Sequence, residues 1–235
     1  MSAPAWAGQT AEPFAVVELF GSEGCSSCPP ADDVLRALAV RARTRGERIF
    51  TLDFHVDYWD ELGWKDPFAS PQFTQRQNSY AKALDISTVY TPQMIINGTA
   101  AFTGSNAKLA GEYIGRALKS PALNSIDLAV KEAGPWQVDI SYQCASPLSA
   151  AVLNFALVER NVESKVTEGE NAGRTLRHDN VVRELQTVPF TQKEGAVRFK
   201  RPADRLRRFS VVVYMQDTRD MKVLAADSID LPEKK

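Results

Sequence analysis

One stretch constrains this chain more than any other: residues 14–56, where "FAVVELF", "GSEGCSSCPP", "ADDVLRALAVRARTRG" and "RIFTLDFHV" follow in close succession. "FAVVELF" is an apolar run broken by one carboxylate, Glu18, and bounded by Pro13 and the Gly21 to Gly24 cluster, so it reads as a buried strand. Residues 31–46 place Val34, Leu35, Leu38 and Ala42 at helical spacing, with acids in the first turn, arginines in the last and Gly46 as a stop. "RIFTLDFHV" returns to strand composition, with Ile49, Leu52, Phe54 and Val56 mostly alternating. Strand, helix and strand in this order make a βαβ unit, which requires parallel strands and a right-handed crossover.

Further along, Ser70 and Pro71 open a helix whose inner face is expected to carry Phe73, Tyr80, Ala81 and Leu84. "VYTPQMIINGTAAFTGS" reads as two strands turning at Asn97-Gly98, and "NAKLAGEYIGRALKS" as a helix with Leu109, Tyr113, Ile114 and Leu118 on one side. Beyond residue 120 the period changes. "SIDLAV", "WQVDISY", "AAVLNFALVE", "NVVRELQTV", "GAVRFK", "RFSVVVYM" and "KVLAADSIDL" are strand-like, with no convincing helix between them, which suggests an antiparallel sandwich or open barrel. The expected organisation is a flexible terminus at 1–12, an α/β domain at 13–120 and a β domain at 121–235.

Lysine and arginine number 28 against 29 acidic residues, so net charge draws the chain toward neither nucleic acid nor anionic lipid. Its apolar runs are strand length, too short for a transmembrane helix. Ala5-Trp6-Ala7 has the small-x-small pattern of a signal cleavage site, consistent with a leader remnant or with an alanine-rich floppy terminus.

The chain has 3 cysteines. Cys25 and Cys28 are spaced for redox or metal chemistry, and Cys144 reads as a small packing residue. At a helix mouth the two sulfurs can close a small disulfide loop, and unsatisfied N–H groups favour a thiolate. Cys25, the more exposed by position, is the expected nucleophile, with Cys28 resolving the mixed disulfide. Small neighbours at Gly24, Ser26 and Ser27 leave room for a substrate. Pro29 and Pro30 remove donors from the first turn and Asp32 and Asp33 add negative charge, so activation is expected to be mild.

Strand-CxxC-helix-strand, followed by Thr91-Pro92 opening a strand hairpin and then a helix, resembles the thioredoxin fold over residues 13–120. The resemblance implies a cis proline at Pro92 that, with Thr91, holds an extended substrate segment opposite the cysteines. More narrowly, "VVELFGSEGCSSCPPADDVL", "FHVDYWDELGWKDPF" and "TPQMIINGT" are similar to a family of secreted bacterial thioredoxin-like proteins classed as a domain of unknown function. That implies an α/β thioredoxin-like domain followed by a mainly antiparallel, sandwich-like all-β domain, and a periplasmic or secreted location. Gly24 stands where thioredoxins usually carry an aromatic residue, and the segment between Cys28 and Pro92 is longer than in a minimal thioredoxin.

Parallel pairing sends the C-terminal end of the second strand to the same sheet edge as the cysteines, which places His55, Asp57, Tyr58 and Trp59 near them. His55 could shuttle a proton or simply pack; Tyr58, Trp59 and Trp64 could shield the pair or fill a core. Glu18 is a candidate base for Cys28 if it faces the pair, and a solvated side chain otherwise. Arg174, Arg177, His178, Asp179 and Asn180 read as a solvated connection or an anion-binding or domain-contact loop. The leading function is thiol-disulfide oxidoreduction on protein or small-molecule thiols and disulfides, with no cofactor beyond the Cys25–Cys28 disulfide. Copper or zinc binding through Cys25, Cys28 and His55, and a non-catalytic binding module, are the alternatives.

Overall fold

β1 (Ala15–Gly21) is buried along its whole length and pairs in parallel with β2 (Ile49–His55), the crossover between them being α1 (Pro29–Arg45). The structure, a computed structural model, describes residues 11–132, 137–146, 150–200 and 209–232; Ala5-Trp6-Ala7 lies outside them. α1 begins at Pro29, two residues before the apolar period does, because the fixed φ of Pro29 and Pro30 suits a first turn whose N–H groups have no helical partner. Gly46, left-handed at φ 63°, closes it.

Residues Asp57–Leu62 form a short 3-10 turn, and α2 (Pro71–Ala83) follows, its first turn capped by Ser70 Oγ, which accepts from Gln72 N–H at 3.3 Å. The buried face of α2 is Phe73, Arg76, Gln77 and Tyr80, while Ala81 and Leu84 are only half-buried. Two polar side chains replace the expected apolar ones because they find partners inside. β3 (Gln93–Ile96) and β4 (Ala100–Thr103) turn at Asn97 and Gly98, both at positive φ, and α3 (Ala107–Ala117) is capped by Asn106.

The remaining strands are β5 (Ile126–Glu132), β6 (Gln137–Cys144), β7 (Ala151–Glu159), β8 (Val162–Lys165), β9 (Thr175–His178), β10 (Val181–Pro189), β11 (Glu194–Lys200), β12 (Phe209–Asp217) and β13 (Val223–Asp230). Eight strands form one sheet in the order β13-β12-β7-β10-β2-β1-β3-β4; β11-β6-β5 form a second sheet and β8-β9 a separate hairpin. The halves of the chain therefore share a sheet, joined where β10 runs parallel to β2 with Val181 opposite Asp53. There Asp53 N–H donates to the Asn180 carbonyl at 3.0 Å.

Three apolar clusters fill the layers. Ile140, Val197 and Phe199 of the smaller sheet pack on Phe155, Leu157, Val211 and Val213, which gives the C-terminal half its sandwich. Phe20, Leu52, Phe54, Phe73 and Tyr80 pack with Val158, Val182 and Tyr214, so this core draws on both halves. Val17, Leu19, Leu35, Met94 and Ile114 fill the space beneath α1 and α3. Among the described residues, no helix is long and apolar enough to cross a membrane.

Candidate functional site

β1 delivers the chain into a tight loop in which Cys25 N–H donates to the Ser22 carbonyl and Cys28 N–H to the Cys25 carbonyl, each at 3.1 Å. This winding brings the two Cα atoms to 5.4 Å, and the sulfurs are joined in a disulfide at the mouth of α1. Cys28 is the residue that caps the helix, with no side-chain hydrogen bond of its own. Gly21 lies beneath it: a Cβ there would sit 3.7 Å from Cys28 Sγ and 3.9 Å from Asp32 Oδ1. Ser26 and Ser27 are exposed, and Ser27 Oγ lies 3.3 Å from Cys25 Sγ.

The expected exposure of Cys25 is not found. Cys25 is 0% and Cys28 1% exposed. The β8–β9 loop lies against the cysteine loop, pinned to its backbone. Asn171 Nδ2 donates to the carbonyls of Glu23 at 2.8 Å and Cys25 at 3.0 Å, and Glu170 Oε2 accepts from Ser26 N–H at 2.9 Å. Gly169 packs on Trp64, where a Cβ would come within 3.1 Å of the Trp64 Cβ. Of the residues expected in a solvated connection, Arg174 and Arg177 are exposed, but His178 and Asp179 are buried and Asp179 pairs with Arg43 of α1 at 2.6 Å, which fits the contact-loop alternative instead.

The Thr91-Pro92 bond is cis. β3 pairs antiparallel to β1 with Gln93 opposite Phe20, which brings this bond to the edge where β1 enters the cysteine loop. Trp59 links the two: its Nε1 donates to Thr91 Oγ1 at 2.8 Å, and its Cβ lies 3.5 Å from where a Gly24 Cβ would stand. Asp57 and Tyr58 are engaged elsewhere. Asp57 accepts from Thr74 Oγ1 at 2.5 Å, and the Tyr58 hydroxyl donates to Gln77 at 3.2 Å, so both tie the 3-10 turn to α2.

Glu18 does not serve the cysteines. Alternate residues of β1 point to opposite faces: Val17, Leu19 and Gly21 face α1, while Glu18 faces α2 with Val16 and Phe20. There its carboxylate accepts from Arg76 Nε at 2.5 Å and from a second Arg76 nitrogen at 3.0 Å, with the Tyr80 hydroxyl as a third donor. The bond that the pairing satisfies is the reason a carboxylate is tolerated in this strand.

The same parity puts Asp53 and His55 of β2 on the α1 face, opposite Leu19 and Gly21. They meet His178, at the end of β9. The two imidazoles are edge to face with centroids 4.8 Å apart, and Asp53 Oδ2 lies 3.4 Å from His55 Nε2 and 3.4 Å from His178 Nδ1. Asp32 Oδ2 is 3.8 Å from His178 Nδ1 and Glu23 Oε1 is 3.4 Å from His178 Nε2. Asp66 Oδ2 holds His55 Nδ1 at 2.7 Å, and Trp64 Nε1 donates to Glu23 Oε2 at 2.9 Å. All six ionisable groups are buried.

Burial pushes the Asp32 carboxyl up to about 7, with Asp53 adding to the rise and His178 and His55 opposing it. Burial alone would lower His178, but contacts with Asp53 and Glu23 raise it to about 9. Burial also opposes charge on His55, yet Asp66 and Asp53 leave it well above its ordinary value. Asp53 and Asp66 are held below the carboxylate range despite burial, His55 being the main cause in each. His55 lies at the sheet edge expected for it, whereas Asp53, Asp66 and Glu23, and the part that His178 and Asp32 take in this cluster, are not legible from local sequence. The available signal was the alternation of Asp53 and His55 with Leu52 and Phe54 in a strand otherwise fit for a core.

Fold and site together define a mixed α/β protein built around a helix-mouth disulfide and a buried imidazole-carboxylate cluster. The chain belongs to the family described as "Protein of unknown function (DUF1223)", whose match runs over residues 16–216. No curated protein matches it. Among solved structures it is similar to the crystal structure of protein AGR_C_4864 from Agrobacterium tumefaciens, at 26% identity and TM-score 0.66, covering 97% of this chain and 98% of that one. A domain of the outer membrane lipoprotein Omp28 from Porphyromonas gingivalis aligns at 12% identity and TM-score 0.31, over 47% of this chain and 88% of that one.

Proposed function

We propose that this chain is a thiol-disulfide oxidoreductase with a thioredoxin-like N-terminal half, in which Cys25 and Cys28 alternate between disulfide and dithiol. The observation that carries the reading is the Cys25–Cys28 disulfide at the start of α1. A substrate thiolate attacks Cys25 Sγ, forming a mixed disulfide and releasing Cys28 as a thiolate, which takes up a proton. A second substrate thiolate attacks the substrate sulfur of that mixed disulfide and frees Cys25, so the substrate leaves as a disulfide and the protein holds two thiols. The reverse sequence reduces a substrate disulfide. Asp32, whose carboxyl stands across Gly21 from Cys28, is the group that supplies or receives the Cys28 proton. The Glu170–Asn171 cover must swing away for either direction. A closed disulfide of this kind suits the oxidising, extracytoplasmic location implied by the family resemblance.

The test is to weigh the protein before and after reduction and to assay disulfide transfer to a peptide dithiol. Wild type is expected to exchange, and Cys25→Ser to be inactive while Cys28→Ser traps a mixed disulfide. Burial of both sulfurs favours a second reading, a non-catalytic module stapled by an inert disulfide. Resistance of the folded protein to dithiothreitol and absence of any mixed disulfide would select it.

A further inference from the structure

The chain contains only 2 histidines, His55 and His178, and folding brings both against the same carboxylate. The ligand-capable atoms of Asp53, His55 and His178 all lie within 4.8 Å of one another. Among the described residues, both Asp53 oxygens, His55 Nε2 and both His178 ring nitrogens are buried and make no well-aligned hydrogen bond, meeting one another or Glu23 only at 3.4 Å. Such a concentration of unsatisfied polar atoms is costly unless something electropositive lies among them.

The hydrogen bonds around the cluster say which atoms point inward. Asp66 already accepts from the N–H groups of Glu23 at 2.7 Å and Phe68 at 2.9 Å, which is the pattern of an ionised carboxylate. Its contact with His55 Nδ1 therefore needs the proton on that nitrogen, and the other nitrogen, Nε2, turns toward Asp53. On His178, Glu23 stands behind Nε2 and Nδ1 turns toward Asp53. A carboxylate behind each imidazole, with the opposite nitrogens converging, is the arrangement that orients metal-binding histidines. Charge points the same way. Glu23, Asp32, Asp53 and Asp66 supply four carboxylates against two imidazoles, and among the described residues no lysine or arginine forms an ion pair with any of them.

We propose that Asp53 Oδ2, His55 Nε2 and His178 Nδ1 form a binding site for a divalent first-row transition ion. Two imidazoles and one carboxylate are a donor set used for both zinc and ferrous iron, and Asp32 stands beside it as a further oxygen donor; zinc, which has no redox chemistry, is the probe. Side-chain shifts of under about 1 Å bring the three atoms to the usual distance of about 2.0–2.1 Å from a central ion. The ion would clamp β9, which carries the cover over the disulfide, to the end of β2. This site uses no cysteine and does not depend on whether Cys25 and Cys28 turn over.

The experiment uses the full chain with Cys25→Ser and Cys28→Ser together, so that thiolates cannot bind the metal. After chelator treatment and gel filtration, zinc is added back and counted by elemental analysis, and ring nitrogens are followed by long-range proton-nitrogen NMR. One retained zinc per chain, with both imidazole signals shifted and a raised Tm, is expected. Asp66→Asn should weaken binding about 10- to 100-fold by disorienting His55. Cobalt should give visible d–d bands without a thiolate charge-transfer band. The proposal is overturned if the doubly substituted chain retains no zinc, if zinc leaves both ring signals unmoved, or if metal is held only by reduced wild type.

Discussion

If the Glu170–Asn171 loop controls access to the disulfide, then Asn171→Ala should expose it. Asn171 is 0% exposed, and its amide donates to two carbonyls of the cysteine loop, at 2.8 and 3.0 Å. Neutral hydrogen bonds contribute about 0.5–1.5 kcal/mol each, so the closed cover should lose about 1–3 kcal/mol. With sulfurs this deeply covered, a small reductant reacts through the open state, and the rate follows the open population. At about 1.4 kcal/mol per tenfold, the variant should be reduced about 5- to 150-fold faster. The assay is pseudo-first-order reduction by dithiothreitol, with thiol release followed in native buffer and urea midpoints measured in parallel to separate local from global opening. Equal rates for Asn171→Ala and wild type would refute the gate. So would a wild-type rate matching that of a short unstructured disulfide peptide.

The same gate should respond to acid. Hydrogen bonding to Ser26 lowers the Glu170 carboxyl below its ordinary 4.5, so its hold is complete above that value and is lost as pH falls through the lowered one. Reduction by a phosphine should accelerate in acid, and Glu170→Gln should flatten that profile; an unchanged profile would show that another group opens the loop. Removing one partner of the buried Glu18–Arg76 pair strands a charge in the core, so Arg76→Met should cost about 3–5 kcal/mol in urea denaturation. Replacing both partners with apolar residues should restore most of it, and a loss below about 1 kcal/mol for the single variant would contradict this. Gly98→Ala should lower stability by about 2–4 kcal/mol, combining positive-φ strain with a clash. The added Cβ would fall 2.0 Å from the Met221 carbonyl oxygen; an unchanged Tm would mean the hairpin is not seated there. Cys144, buried and with its thiol pushed up to about 12, should stay unlabelled by iodoacetamide in the folded, reduced protein, leaving two reactive sulfurs; three would refute it.

Much of the chain's local structure was written in its own neighbourhood. The βαβ start, the Ser70-Pro71 cap, the Asn97-Gly98 turn and the seven main C-terminal strands follow from short-range period and turn chemistry, because backbone sterics act over a few residues. The cysteine pair was legible for the same reason: three residues of spacing at a helix start are enough to bring two sulfurs together. The β8–β9 hairpin is not legible in the sequence because its strands are short and half exposed, and their pairing is not visible in either strand alone.

What only the tertiary structure decided is which distant side chains meet. Glu18 is a candidate partner for Cys28 by its place in the strand, but strand parity sends it to Arg76 on the opposite face. His55 and His178 became neighbours because β10 joins the edge of β2, a pairing 128 residues apart in sequence between Asp53 and Val181. The sequence by itself determined that two sulfurs would stand at a helix mouth. The cover over them, and the convergence of imidazoles and carboxylates behind them, depended on one long-range strand pairing whose free energy comes from burying both halves together.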